Sequence, residues 1–274
     1  MHAMTSGRVP VRGGELFFED RGAGHALILL HGGTLDKRMW DGQVGQFVRA
    51  GYRVIRYDAR GHGQSTTPKD DFAAYEDLGE LLAGLDITRA SLVGLSYGAR
   101  TAVDFALTHP DVVEMMVLAS PGVSGMRFSD PAILALLREQ AEAARAMDAE
   151  RYVECFLRAW VDGPLRRKEQ VDPEVRRRCQ RMALDVIVNH SAASGTLLEV
   201  GAMDRLGELA APLLVLVGDL DSSDIHSVAG RIEADAQFTA SAVVPGTGHT
   251  MAMEQPAAFN AAVLTFLERA RLAR

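Results

Sequence analysis

The chain has 274 residues, 47% hydrophobic and 24% charged, with a formal net charge of -7. These values suit a soluble globular protein of one large domain, or one domain carrying an insertion, and exclude a disordered chain, a collagen and a disulfide scaffold. The acidic balance argues against nucleic acid as a partner, no apolar run approaches the roughly 20 residues of a membrane span, and the two cysteines, Cys155 and Cys179, read as packing residues of a reducing cytoplasm.

In chain order, 15–19 and 26–30 read as early strands, and RVIRY at 53–57 follows Gly51 as another. Residues 91–93 and 115–119 add two more, each preceded by a predicted helix, and 213–217 and 241–244 complete the set. Their continuous Val/Leu/Ile runs mean that both faces of the sheet are buried, as in a mostly parallel sheet covered by helices. Between Pro121 and Gly207 strand-like runs vanish and helical periodicity takes over, at 131–147, 149–160 and 173–189. Pro131 and Pro173 open two of these helices behind Asp130 and Asp172, which suit N-caps. The expected organisation is therefore a core of 1–120 and 208–274 with an all-helical cap, or lid, of 121–207. An insertion there lies over the carboxyl ends of the strands, where open α/β sheets bind ligands.

A basic run in this insertion (Arg166, Arg167, Lys168, Arg176, Arg177, Arg178 and Arg181) is interleaved with Glu169, Asp172 and Glu174. It reads as a solvated helix face rather than an anion site.

The segment SLVGLSYGAR at 91–100 carries G-x-S-x-G at Gly94, Ser96 and Gly98, between a short strand and residues of helical spacing. A serine on so tight a strand-to-helix turn is forced into a strained backbone that only flanking glycines permit. The turn lifts its hydroxyl off the sheet and sets the Tyr97 N–H at a helix N-terminus, where it can stabilise an oxyanion. Serine needs a base, and His249, in a glycine-bracketed loop after the last strand, is the candidate. His2 and His25 come too early, His109 ends a helix, His190 lies in the insertion and His226 sits on a predicted helix. The base needs a carboxylate to orient it. Asp219, Asp221 and Asp224 compete in GDLDSSD; Asp221, at the loop tip, is chosen, with Asp224 expected to cap the following helix and next in line.

The order Ser96, Asp221, His249 resembles that of the α/β-hydrolase superfamily over nearly the whole chain. HGGT at 31–34 looks like its oxyanion loop, RYDARGHGQS at 56–65 like its D-x-R-G-x-G-x-S turn, and PGTGHTMAMEQP like its histidine segment. The resemblance implies a mostly parallel eight-stranded α/β-hydrolase sheet with helices on both faces. It implies a second oxyanion N–H from Gly33, with Thr34 as the fallback, and a bracing role for Asp58, Arg60 and Ser65. TLDKRMW, WVDGP and GDLDSSDIH are similar to 3-oxoadipate enol-lactonase-like members. His62 lacks a second ligand at metal spacing and is expected to be a loop residue; Trp40 and Trp160 could each line the substrate pocket or belong to the core, with Trp160 the stronger pocket candidate.

These readings converge on a cofactor-free, metal-free serine hydrolase of small esters or lactones, cytoplasmic, with no nucleic-acid or membrane partner and homo-oligomerisation left open. The alternatives are a carbon–carbon bond hydrolase of diketone-like substrates with the same triad, and a ligand receptor without turnover.

Overall fold

The computed structural model of the chain describes residues 4–272. Eight strands form one sheet: β1 (Thr5–Val11), β2 (Gly14–Arg21), β3 (His25–Leu30), β4 (Tyr52–Tyr57), β5 (Ala90–Leu95), β6 (Val113–Ala119), β7 (Leu213–Gly218) and β8 (Thr239–Val244). Their spatial order is β1-β2-β4-β3-β5-β6-β7-β8. β1 and β2 are antiparallel to each other, β2 is antiparallel to β4, and every later pairing is parallel. This is the expected α/β-hydrolase sheet. β1 was absent from the predicted strands because only Val9 and Val11 of it are buried, and Pro10 suits an edge.

The helices are α1 (Asp41–Arg49), α2 (Ala74–Gly84), α3 (Tyr97–Thr108), α4 (Pro131–Arg145), α5 (Ala149–Phe156), α6 (Pro173–His190), α7 (Ser223–Asp235), α8 (Met251–Glu254) and α9 (Pro256–Leu272). One apolar cluster packs α2, α3 and α7 on one face of the sheet, through residues such as Leu81, Phe105 and Ile232. A second packs α1 and α9 on the other face through Phe47, Phe259 and Val263. Each fully buried Leu, Ile or Phe contributes about 1.5–3 kcal/mol of hydrophobic stabilisation. Central strands such as β5, buried at every residue, explain the continuous apolar runs in the sequence.

α4, α5 and α6 all fall between β6 and β7. Asp130 accepts from the Ala132 and Ile133 N–H groups and Asp172 from Glu174 N–H, so both cap as the sequence predicts. The helix expected over 149–160 ends its α-helical winding at Phe156 and continues as a wider π-helical turn, Leu157–Asp162. Leu157, Ala159 and Val161 stay buried there, while Trp160 is partly open to a cavity.

Chain order reverses beside β3, which has β4 on one side and β5 on the other. A switch of this kind opens a crevice at the strand carboxyl ends. The loops leaving β3 and β5 carry His31–Thr34 and Ser96.

Candidate active site

Ser96 stands between β5 and α3 with φ 53° and ψ -107°, a left-handed conformation unusual for a residue with a side chain. The flanking glycines make the turn feasible. A Cβ on Gly98 would lie 2.1 Å from the Leu30 carbonyl oxygen, and one on Gly94 would lie 2.5 Å from the Gly98 backbone. The chain thus passes where no side chain fits, and the Ser96 hydroxyl faces a cavity of about 270 Å³.

His249, buried, lines the same cavity. Its Nδ1 faces the Asp221 carboxylate, 2.9 Å from Oδ2 and 3.2 Å from Oδ1, so Nδ1 carries the proton and Nε2 is left as the acceptor. Burial opposes ionisation of Asp221, yet the charge and hydrogen bond of His249 and the Ser222 N–H hold its carboxyl below the usual value. The Ser96 hydroxyl itself is not hydrogen-bonded to any described residue. Trp160 lies against His249, ring centres 4.8 Å apart, and tilts onto Phe128 on its other side. Trp40 is fully buried against Phe259 and belongs to the core.

Two of the three competing aspartates are committed elsewhere. Asp219 accepts from Gly246 N–H. Asp224 does not cap α7 as expected; its carboxylate accepts from Ser129 N–H, Ser129 Oγ and Asp130 N–H, tying the start of α4 to α7. It already lies inside the first turn of α7, so the donors within its reach belong to the neighbouring segment.

The backbone N–H groups of the 31–34 loop are engaged differently. Gly32 N–H donates to Met39 Sδ, and Thr34 N–H donates to His62 Nε2 at 3.3 Å. Gly33 N–H has no acceptor among the described residues, and a Cβ there would sit 3.6 Å from that of Tyr97. Tyr97 is the first residue of α3, where an N–H has no intrahelical acceptor. Two N–H groups without protein acceptors thus flank Ser96. His62 is more than a loop residue: with Nε2 accepting from Thr34, its Nδ1 donates to the Arg60 carbonyl. Burial, reinforced by neighbouring His31, pushes its pKa down to about 3.

Asp58, Arg60 and Ser65 brace this region as the motif implies. Asp58 accepts from Lys37 N–H, Lys37 Nζ and Gln64 N–H; Arg60 pairs with Asp77; the Ser65 hydroxyl donates to the Asp58 carbonyl.

Arg166 departs from the solvated face expected of the basic run. It is buried and pairs with Glu254, whose carboxylate also accepts from Gly248 N–H and Thr250 Oγ, the neighbours of His249 on either side. Arg176 pairs with Asp162 and Glu154, Arg178 with Asp41, and Arg177 and Arg181 with Glu174. The i,i+n spacing of charges could not reveal a partner 88 residues away.

Cys155 and Cys179 are free, buried thiols. Among the described residues no group of three His, Cys, Asp or Glu side chains could hold a metal ion, and no helix is long and apolar enough to cross a membrane.

The family model for the Alpha/beta hydrolase family matches residues 27–262. A 2-hydroxy-6-oxononadienedioate/2-hydroxy-6-oxononatrienedioate hydrolase from Cupriavidus pinatubonensis is 29% identical, over 97% of this chain and 96% of its own. A thermophilic esterase from Thermogutta terrifontis superposes with a TM-score of 0.77 at 26% identity, over 97% of this chain and 99% of that one. The enol-lactonase from Burkholderia xenovorans gives a TM-score of 0.78 at 23% identity, over 96% of this chain and all (100%) of that one, a likeness of fold.

Proposed function

The chain belongs to the alpha/beta hydrolase family, and from that premise we propose that it is a cofactor-free serine hydrolase of small carboxylic esters or lactones. The observation that carries the reading is a single cavity lined by Ser96 on its strained turn and by His249, whose Nδ1 is held by buried Asp221.

In this reading Ser96 Oγ attacks the substrate carbonyl carbon while His249 Nε2 takes the hydroxyl proton. Asp221 holds the imidazole in the tautomer that leaves Nε2 free, and stabilises the imidazolium that forms. The carbonyl oxygen, now negative, receives the Gly33 and Tyr97 N–H groups. His249 returns the proton to the leaving alcohol, leaving an acyl-enzyme on Ser96. It then deprotonates a water that attacks the acyl carbon, and it returns that proton to Ser96 Oγ as the acid leaves. In a lactone the alcohol and acid belong to one molecule, and the product leaves as a single hydroxy acid. The segment between β6 and β7 reaches over the cavity through Phe128, Gln140 of α4, Phe156 of α5 and Trp160 of the π-helical turn, and we assign residues 121–207 the role of a lid.

The Cupriavidus relative gives a second reading, hydrolysis of a carbon–carbon bond in a diketone-like substrate by the same triad. That relative's substrates are named as dioates. Among the described residues lining this cavity the Lys or Arg side chain is Arg100, already paired with Glu199, which favours the ester reading.

The test is hydrolysis of short p-nitrophenyl esters, small lactones and a vinylogous diketone by the wild type and Ser96→Ala. Ester or lactone turnover that vanishes with Ser96→Ala supports the proposal. Turnover of the diketone alone moves the assignment to carbon–carbon cleavage, and persistent turnover in Ser96→Ala rejects the nucleophile.

A further inference from the structure

The cavity wall is apolar for most of its area, with Leu35, Leu95, Val123, Met126, Phe156 and Trp160 on it. Among its lining side chains, charge at neutral pH comes from Arg100 and Glu199, with His249 as the base. Arg100 lies one helical turn beyond Ser96, its N–H bonded to the Ser96 carbonyl, and its guanidinium stands over the Tyr97 ring, 5.3 Å from the ring centre. Alone, a guanidinium so placed would anchor a carboxylate.

It is not alone. Glu199 Oε1 lies 2.5 Å from Arg100 Nη1, and the two side chains are 30% and 31% exposed, at the wall rather than in open water. Behind them stands buried Asp104, which accepts from the Ser124 hydroxyl. Burial raises its pKa, and the nearby Glu199 charge adds to the rise while Arg100 opposes it. The guanidinium is therefore already paired with the Glu199 carboxylate, and Asp104 adds a second acidic group behind that pair. A third, carried in by a substrate, would meet like charge and lose water without gaining an unpaired cation. The net charge of -7 adds a long-range term of the same sign.

We propose that Glu199 is a charge filter: by occupying Arg100 it reserves this cavity for uncharged acyl groups and turns away substrates carrying a carboxylate. The filter rests on the hydrolase reading of the same cavity and narrows its substrate class to neutral esters and lactones.

The test compares methyl pentanoate with its carboxylate counterpart, monomethyl glutarate, by pH-stat titration of the wild type, Glu199→Gln and Arg100→Gln/Glu199→Gln. The wild type favours the neutral ester in kcat/KM by about tenfold or more. Glu199→Gln raises the glutarate-to-pentanoate ratio by about tenfold, and the double variant, lacking the cation, loses that gain. Similar rates on both esters in the wild type, or an unchanged ratio in Glu199→Gln, would overturn the filter. A calorimetric titration of Ser96→Ala with pentanamide and with glutaramate, the half-amide of glutaric acid, separates the two claims. Tighter binding of pentanamide without ester turnover in the wild type upholds the filter and removes the hydrolase reading. Equal or tighter binding of glutaramate removes the filter whatever the turnover.

Discussion

Arg166 and Glu254 form a buried ion pair that joins the chain just after the π-helical turn to the loop bearing His249. Arg166 is anchored at its other nitrogens to the Asp162 and Val161 carbonyls, and Glu254 grips Gly248 and Thr250. The segment after the π-helical turn is thus tied through the Glu254 carboxylate to both chain neighbours of His249, beside the direct packing of Trp160 on the imidazole.

Removing one partner of a buried pair leaves an uncompensated charge, so Arg166→Ala should destabilise the protein by about 3 kcal/mol. Adding Glu254→Gln should recover part of that loss, since no charge then remains unpaired. Urea unfolding of both variants measures this; a double variant no more stable than Arg166→Ala would show that the pair does not hold the loop.

Asp221→Asn should lower kcat by about three to four orders of magnitude, because an amide facing Nδ1 disfavours the required tautomer. Asp224→Asn should mainly lower stability, since its carboxylate receives the start of α4 and lies away from the cavity lining. Kinetics and thermal melts of the pair decide the matter, and the reverse ranking would move the acid to Asp224.

His62 makes a pH prediction. Its pKa is about 3 in the folded chain against an ordinary value of 6.5, so the unfolded chain binds the proton first as pH falls. The stability it contributes is whole above pH 6.5 and is lost progressively as pH falls toward 3. Burial of Asp77 raises its carboxyl to about 6, despite Arg60, which has the opposite sign and offsets part of the loss between pH 6 and its ordinary 3.8. His62→Asn should therefore be less stable than wild type at neutral pH and show a shallower fall between pH 6.5 and 4. Melting temperatures across that range check it, and parallel curves would count against a neutral imidazole at His62.

Much of the site was legible because its chemistry demands local sequence. Gly94 and Gly98 announce a turn that no side chain can enter, and the late strands announce where Asp221 and His249 must hang. What escaped depends on contacts across long separations. Arg166 looked solvated because its partner lies on another element, and β1 escaped because an edge strand with one buried face shows a weak pattern. The role of Asp224 was misread because a helix N-terminus offers both its own N–H groups and those of a docked neighbour. His62 and Thr34 are 28 residues apart, and only the fold brings them together. Arg100 was within reach, four residues after Ser96 in the first turn of α3.

The most direct measurement is intact-mass and peptide mass spectrometry of the protein after treatment with a fluorophosphonate that mimics the tetrahedral intermediate. One adduct per chain is expected, located on Ser96, absent in Ser96→Ala and strongly slowed in Asp221→Asn. An unlabelled wild type, or an adduct that survives Ser96→Ala, would contradict the claim that Ser96 is an activated nucleophile.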